Sequence, residues 1–333
     1  MSGSSPQSAT TPSTPIRITS GHTYKRRYRP YFTKRQLSAL LHLKQPGSTL
    51  ASKEISARNS SCKFMEQVGK KLGFPQETIS TAQALYHRFY LYYSIRHYPP
   101  QDISVTCLYV ASKIEETHKK LKDIFVAVYS VRYPDSKELD PEHVSEERRR
   151  RIVGYEKLLL ETLCFDFQHQ HPYEYIVKFA KWIQLHESID GKILGKKAYE
   201  LAVYSYRIPL CIEYPAHTIA AGCIYLASIL LKEEDQSFQS LPGHHPWDKL
   251  FCSRMIDIED VCQQILDLHI LNCSNEDGER YTKIKIRINE QARKRGSDPN
   301  IMNENDDVNN HRTKWEFEGM SPLEVVNTNQ HTI

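Results

Sequence analysis

A segment of this chain occurs twice. Tyr98-Pro99 with Ile103, Cys107, Tyr109, Ala111 and Ser112 returns as Tyr214-Pro215 with Ile219, Cys223, Tyr225, Ala227 and Ser228, at a constant offset of 116 residues. Carried backward, the same offset pairs Ala82 with Ala198, Leu85 with Leu201 and Tyr90 with Tyr206. A core helix and the helix before it are thus present in duplicate, and the fold is predicted to be two copies of one helical unit. An offset this long excludes a solenoid, whose repeats run to about 20–50 residues.

The local patterns agree with an all-α class. From Tyr31 the pattern turns helical, and Phe64, Val68 and Leu72 recur at helical spacing before Gly73 and Pro75. Ile79, Ala82, Leu85 and Phe89, with Tyr86, Tyr90 and Tyr93 alongside, mark the inner face of a second helix that must stop before Pro99-Pro100. Ile103 to Glu116 is apolar nearly all round, as a central helix wrapped by neighbours should be. Leu121 to Tyr129 and Glu146 to Leu163 read as two further helices, separated by a polar stretch.

Residues 1–30 are rich in Ser, Thr and Pro and lack the apolar content that offsets the entropy of ordering, so a disordered basic tail is expected there. Ser5-Pro6, Thr11-Pro12 and Thr14-Pro15 fit proline-directed kinases. The first unit is assigned to residues 31–167, the second to 168–274, and a partly disordered carboxy-terminal extension to 275–333. In that extension Ile284, Ile286 and Ile288 alternate with Lys283, Lys285 and Arg287. The period of two suggests a strand that adds to a partner's sheet, or a flexible basic linker. Trp315-Glu316-Phe317 could dock on a groove or cover the protein's own surface.

Composition then excludes several classes. Charged residues make up 25% and apolar residues 40%, so a disordered chain is not expected. Eight cysteines never form a Cys-x-x-Cys pair, which argues for reduced core thiols and against zinc. The apolar run Ile219 to Leu231 is too short to span a bilayer, and an intracellular protein is expected. Residues 1–53 hold nine Lys or Arg and no Asp or Glu, so the net charge of +4 belongs to the tail.

Two charges conflict with their surroundings. Lys113 follows Cys107, Val110 and Ala111 in the most apolar helix, and Glu156 falls between Ile152, Leu159 and Leu163. An isolated buried charge is strongly unfavourable. Three outcomes satisfy these two: they meet each other, they rim the surface, or another protein completes them.

Residues 61–166 resemble the first box of the transcriptional cyclins, those of the K and T type. The likeness is carried by Ala84-Leu85-Tyr86-His87-Arg88-Phe89-Tyr90, by Ala111-Ser112-Lys113-Ile114-Glu115-Glu116, by Lys120-Leu121-Lys122-Asp123-Ile124 and by Tyr155 to Asp166. Tyr31-Phe32-Thr33 with Gln36-Leu37 is similar to the element before that box, and His171-Pro172 to the entry of the second. Within the family, the chain resembles the cyclin subunit of fungal carboxy-terminal-domain kinase I.

The resemblance implies two tandem cyclin boxes and a regulatory subunit that binds and activates a cyclin-dependent kinase. It also implies a nuclear complex that phosphorylates the carboxy-terminal domain of RNA polymerase II and promotes elongation, with a third subunit besides kinase and cyclin. The kinase-binding residues it implies are Lys113 and Glu156, with Glu116 and Phe165 beside them. The position matching Lys113 in the second repeat is Ile229, so that repeat lacks the charged anchor. No phosphate-binding glycine loop, catalytic-loop signature or metal-ligand cluster is legible; neither catalytic residues nor a cofactor are expected.

The rival reading is a TFIIB-like nucleic-acid-binding factor, also built from paired cyclin boxes, with Lys25 to Arg29 and Arg148 to Arg151 as phosphate contacts. The first cluster equally suits a nuclear import signal. The second equally suits a helix face with i, i+4 ion pairs to the acids Glu146 and Glu147. His169 and His171 near Cys164, and His244-His245, lack metal-ligand spacing.

Overall fold

The computed structural model describes residues 31–44, 48–137, 139–140, 144–241, 247–273 and 275–296. The Ser/Thr-Pro dipeptides, the basic run Lys25 to Arg29, His244-His245 and Trp315 to Phe317 lie outside them. Among the described residues every regular element is helical.

A leading helix α1 (Lys34–Lys44) precedes a first repeat of α2 (Ser48–Leu72), α3 (Gln76–Tyr92), α4 (Pro100–Ile114), α5 (Leu121–Arg132) and α6 (Glu146–Thr162). The second repeat holds α7 (Tyr173–His186), α8 (Gly191–Ser205), the short α9 (Leu210–Glu213), α10 (Ala216–Glu234), the short α11 (Trp247–Leu250) and α12 (Met255–Asn272). Helix α13 (Asn275–Gly296) closes the described chain.

The duplication survives in three dimensions. Helix α4 starts at Pro100 behind Pro99, and α10 starts 116 residues later at Ala216 behind Pro215. A proline at or just before the first helical position fixes the entry, because its missing N–H is one the first turn cannot use. Each of these helices is the hub of its repeat: α4 packs on α2, α3, α5 and α6, and α10 on α7, α8 and α12. The near-continuous apolar surface anticipated for α4 follows from that position.

Two cores result. Met65, Phe89, Phe125 and Ile152 meet in the first, and Phe179, Ile224, Trp247 and Phe251 in the second, where the Phe179 and Phe251 rings stack at 3.8 Å. Gly222 lets α10 and α12 approach closely, since a β-carbon there would lie 2.6 Å from Val261. Five of the eight cysteines are buried and all eight are free thiols, in keeping with their reading as core groups. No described helix is long and apolar enough to cross a membrane.

The carboxy-terminal extension corrects the sequence reading. Residues 275–296 form neither a strand nor a linker; they are α13, packed on α12. Ile284 and Ile288 are buried against the second core with Tyr281 beside them, whereas Ile286 is exposed. The spacing 281, 284, 288 is one face of a helix, and a two-residue alternation of isoleucines contains it by coincidence. The basic residues face outward into ion pairs, Arg280 with Glu234, Arg287 with Glu233 and Lys285 with Asp267.

The repeats meet along α3, and the seam is polar at its centre. His87 is fully buried, and its Nε2 lies 2.8 Å from the Tyr206 carbonyl oxygen. A carbonyl only accepts, so Nε2 carries the proton and Nδ1 faces Arg58 as an acceptor at 3.4 Å. Arg58 in turn donates to Glu54 at 2.6 Å and to the Tyr90 carbonyl at 2.8 Å. Arg207 reaches back from the second repeat to Glu66 at 2.8 Å. Replacing Arg58 by Ala removes the guanidinium that faces the buried Glu54 carboxylate. The expected loss is about 3–5 kcal/mol of unfolding free energy, read from urea denaturation. A loss below about 1 kcal/mol contradicts this account of the seam.

Candidate protein interaction surface

Helices α4 and α6 lie side by side; of the four residues singled out in the sequence, Lys113 and Glu116 sit at the carboxy-terminal end of α4, Glu156 in the carboxy-terminal half of α6 and Phe165 just after it. Lys113 occupies the last turn of α4, and its Nζ donates to Glu156 Oε1 of α6 at 2.6 Å. Of the three outcomes open to these charges, the chain therefore takes the first: they satisfy each other. The Lys113 ammonium also stands 4.0 Å over the Tyr109 ring, one helical turn earlier. Burial works against its charge, but the hydrogen bonds to Glu156 and Tyr109 outweigh that and raise its pKa above the usual lysine value.

The bridge is not sealed. The Lys113 side chain remains 42% exposed, against 16% for Glu156. A bridge this open to water is worth at most about 1 kcal/mol, so a partner offering its own polar groups could share both charges at little cost. Around it lies uncovered apolar surface. Phe165 is 62% exposed and Val153, less than a turn before Glu156 on α6, is 52% exposed.

Both helices end in the same unusual way. After α4, Glu116 adopts φ 54°, and the Thr117 N–H closes back on the Ser112 carbonyl at 2.9 Å. After α6, Cys164 and Phe165 adopt φ 50° and 56°, and the Phe165 N–H closes on the Leu160 carbonyl at 3.1 Å. These are six-to-one closures of the kind glycine normally permits. A non-glycine residue there costs about 1 kcal/mol or more in backbone energy. Glu116 and Phe165 thus project from strained termini, and Glu116 is exposed.

Packing behind the surface holds these ends in place. Arg88 of α3 donates to the Asp166 carbonyl at 3.1 Å and so pins the turn that carries Phe165. Glu115 accepts from Thr81 Oγ1 at 2.6 Å, and Thr81 lies 3.0 Å from His171 Nε2. His171 Nδ1 is 2.7 Å from the Tyr206 hydroxyl. Because Thr81 gives its proton to the carboxylate, His171 must donate through Nε2 and accept Tyr206 Oη–H through Nδ1. A single directed chain of hydrogen bonds therefore runs from Tyr206 in the second repeat to the end of α4 in the first.

Sequence reasoning missed Thr81, Tyr206 and Tyr109 as contributors. His171 and Glu115 were seen only inside motifs. Their partners are separated by 34 and 35 residues, and no periodicity connects such distances. In the second repeat Ile229, the counterpart of Lys113, is 5% exposed and belongs to the core, so no corresponding charged pair exists there. No group of His, Cys, Asp or Glu among the described residues has the arrangement to hold a metal ion. His171 is instead committed to Thr81 and Tyr206.

Comparison with known proteins bears on the same region. Residues 31–168 match the family model of the cyclin N-terminal domain. The chain is 34% identical over 203 residues to CTD kinase subunit beta of Schizosaccharomyces pombe, covering 60% of this chain and 57% of that protein. It is 36% identical over 217 residues to cyclin pch1 of the same yeast, covering 65% and 60%. It is 31% identical over 218 residues to human cyclin-K, covering 65% and 37%. The chain thus spans little more than half the length of the two yeast relatives and about a third of cyclin-K. Among solved structures, a chain of the yeast RNA Pol II CTD kinase CTDK-1 complex superposes with a TM-score of 0.62 at 21% identity, covering 78% of this chain and 83% of that one, a likeness of fold. Residues 31–168 are thus a cyclin N-terminal domain, and the chain around it is similar to cyclins of the K, T and CTD-kinase type.

Proposed function

We propose that this protein is the activating, non-catalytic subunit of a cyclin-dependent kinase, and that it binds the kinase through the α4 and α6 ends. The observation that carries this reading is the half-exposed Lys113 and Glu156 pair set in uncovered apolar surface. Phe165 and Val153 would supply area to a partner helix, and the charged pair, with Glu116 beside it, would supply register. Docking of this kind shifts a kinase between two states. It moves the kinase's regulatory helix so that its glutamate meets the phosphate-binding lysine, an ion pair that phosphoryl transfer requires.

The relatives' names, CTD kinase subunit beta and cyclin-K, support the carboxy-terminal domain of RNA polymerase II as the substrate of that kinase. A nuclear location and a role in elongation go with it. A third subunit would meet the outward basic face of α13 or the chain beyond it, because the apolar face of α13 is already buried. The test is co-purification of the full chain from its own cells, with the bound kinase identified and assayed on a polymerase repeat peptide. A kinase that binds the chain and phosphorylates the peptide only when the chain is present is the expected result. Absence of any bound kinase refutes the reading. Truncation after Gly296, which spares Ile284 and Ile288, tests the chain beyond α13, and Lys283→Glu with Lys294→Glu, both exposed, tests the outward face of the helix; unchanged co-purification of all partners with both variants dismisses the contact.

A further inference from the structure

At the opposite end of α6 from Phe165 the chain gathers cations that the docking surface does not use. The sequence reading expected Arg148 to Arg151 to form i, i+4 ion pairs with Glu146 and Glu147. Only Arg149 behaves in this way, and at i, i+3, bonding Glu146 at 3.1 Å. Arg151 crosses to α4 and meets Asp102 at 3.2 Å. The Arg148 guanidinium lies 4.7 Å over the ring of Phe125 on α5. Arg132, two turns beyond Phe125 in the last turn of α5, is half-buried like Arg148.

Arg148 and Arg151 are one turn apart on α6 and share a face, and Phe125 and Arg132 share a face of α5. The helices thus bring three guanidiniums to one place. Arg132 and Arg151 both lie near enough to Arg148 to lower its pKa, after burial and against the pull of Asp102. Asp102, the carboxylate that pulls against this, is itself engaged by Arg151. Among the described residues neither the Arg132 nor the Arg148 side chain has a hydrogen bond or ion pair. Three guanidiniums that, among the described residues, pair with a single carboxylate, Asp102, and are partly withdrawn from water form a site that a dianion would relieve.

We propose that Arg132, Arg148 and Arg151 form a docking site for a phosphorylated serine or threonine of a peptide. A phosphoryl group carries nearly two charges and three strong acceptor oxygens, which match forked guanidinium donors. The surroundings favour a peptide over a nucleic acid. Exposed Asp135, Glu146 and Glu147 border the cluster, and a chain of phosphates laid across it would meet them, whereas a single phosphate would not. Tyr133, 48% exposed and 4.9 Å from the Tyr129 ring, offers an aromatic face to a residue beside the phosphate. Arg148 and Glu156 are eight residues apart on α6, about 12 Å along the helix, so the site and the kinase-docking surface can be occupied together.

The full chain would be titrated by fluorescence anisotropy with a short peptide carrying one phosphoserine beside a tyrosine, with its unphosphorylated twin, and with a single-stranded RNA oligomer. The phosphopeptide should bind at least about tenfold more tightly than its twin, and added inorganic phosphate should compete. Arg132→Glu, at a position outside both the core and the Lys113 surface, should abolish that difference without altering the melting temperature or kinase co-purification. Arg148→Gln, which retains part of the packing on Phe125, should lower it by about tenfold. Equal affinity for both peptides, tighter binding of RNA, or indifference to Arg132→Glu each overturns the proposal. Because kinase binding is read separately, such a failure leaves the proposed function standing.

Discussion

Lys113→Glu combined with Glu156→Lys should abolish kinase binding while the protein stays folded. The exchanged pair still bridges α4 and α6, so the melting temperature should stay within about 3 °C of the original. What changes is the sign of each charge presented to a partner helix. A hydrogen-bonded charge inverted within an interface typically costs about 2–5 kcal/mol or more, which corresponds to a loss of about thirtyfold or greater in affinity. Calorimetric titration with the co-purified kinase, beside a thermal melt, reads both quantities. Retained affinity removes Lys113 and Glu156 from the interface. Loss of affinity with loss of the fold would mean that the bridge matters mainly inside the chain.

Mild acid should unfold the protein. Burial lowers the pKa of His87 to about 3, the neighbouring Arg58 adding to the effect against its bond to Tyr206. Burial likewise lowers His171 to about 4, and His217 to about 4 despite its contact with the Cys252 carbonyl. His269, stacked between Tyr204 and Tyr281, is lowered to about 4 by burial and then by Lys197 and Arg207. In the unfolded chain all four take up protons below about pH 6.5, while the folded chain resists until about pH 4. The unfolded state therefore binds more protons in this window, and stability falls as pH falls.

Each histidine contributes a slope of about 1.4 kcal/mol per pH unit. Acting together against a stability of about 5–15 kcal/mol, they place the midpoint of acid unfolding near pH 5. Circular dichroism across pH 7 to 4 tests this, and a flat signal down to about pH 4.5 contradicts it. His87→Gln is the informative control. Its amide can donate to the Tyr206 carbonyl and accept from Arg58 without titrating, so the dependence should weaken by about one part in four.

How far these features are legible in the sequence depends on the separation of the residues involved. The paired Tyr-Pro segments, with the apolar runs after them, are local, and they located α4 and α10 and the duplication. The alternating isoleucines of 284–288 are also local but ambiguous. Residues 284 and 288 share a face in a helix as well as in a strand, and only the burial of those two against the exposure of Ile286 decides. The charges of Lys113 and Glu156 were recognisable as anomalies, since each interrupts an apolar stripe. Their meeting was not, because it depends on how two helices cross. The chain of donors from Tyr206 through His171 and Thr81 to Glu115 was beyond reach for the same reason. Arg148 looked like part of a solvated run, and only its seat on Phe125 sets it apart.

A duplicated protein ordinarily inherits two equivalent sockets. Here the second has been filled with hydrocarbon, since the place of Lys113 is taken by Ile229, folded into the interior of α10. If the free end of α4 is where an enzyme attaches, internal symmetry does not extend to stoichiometry. Each molecule should recruit a single kinase, with the other half acting as its mount.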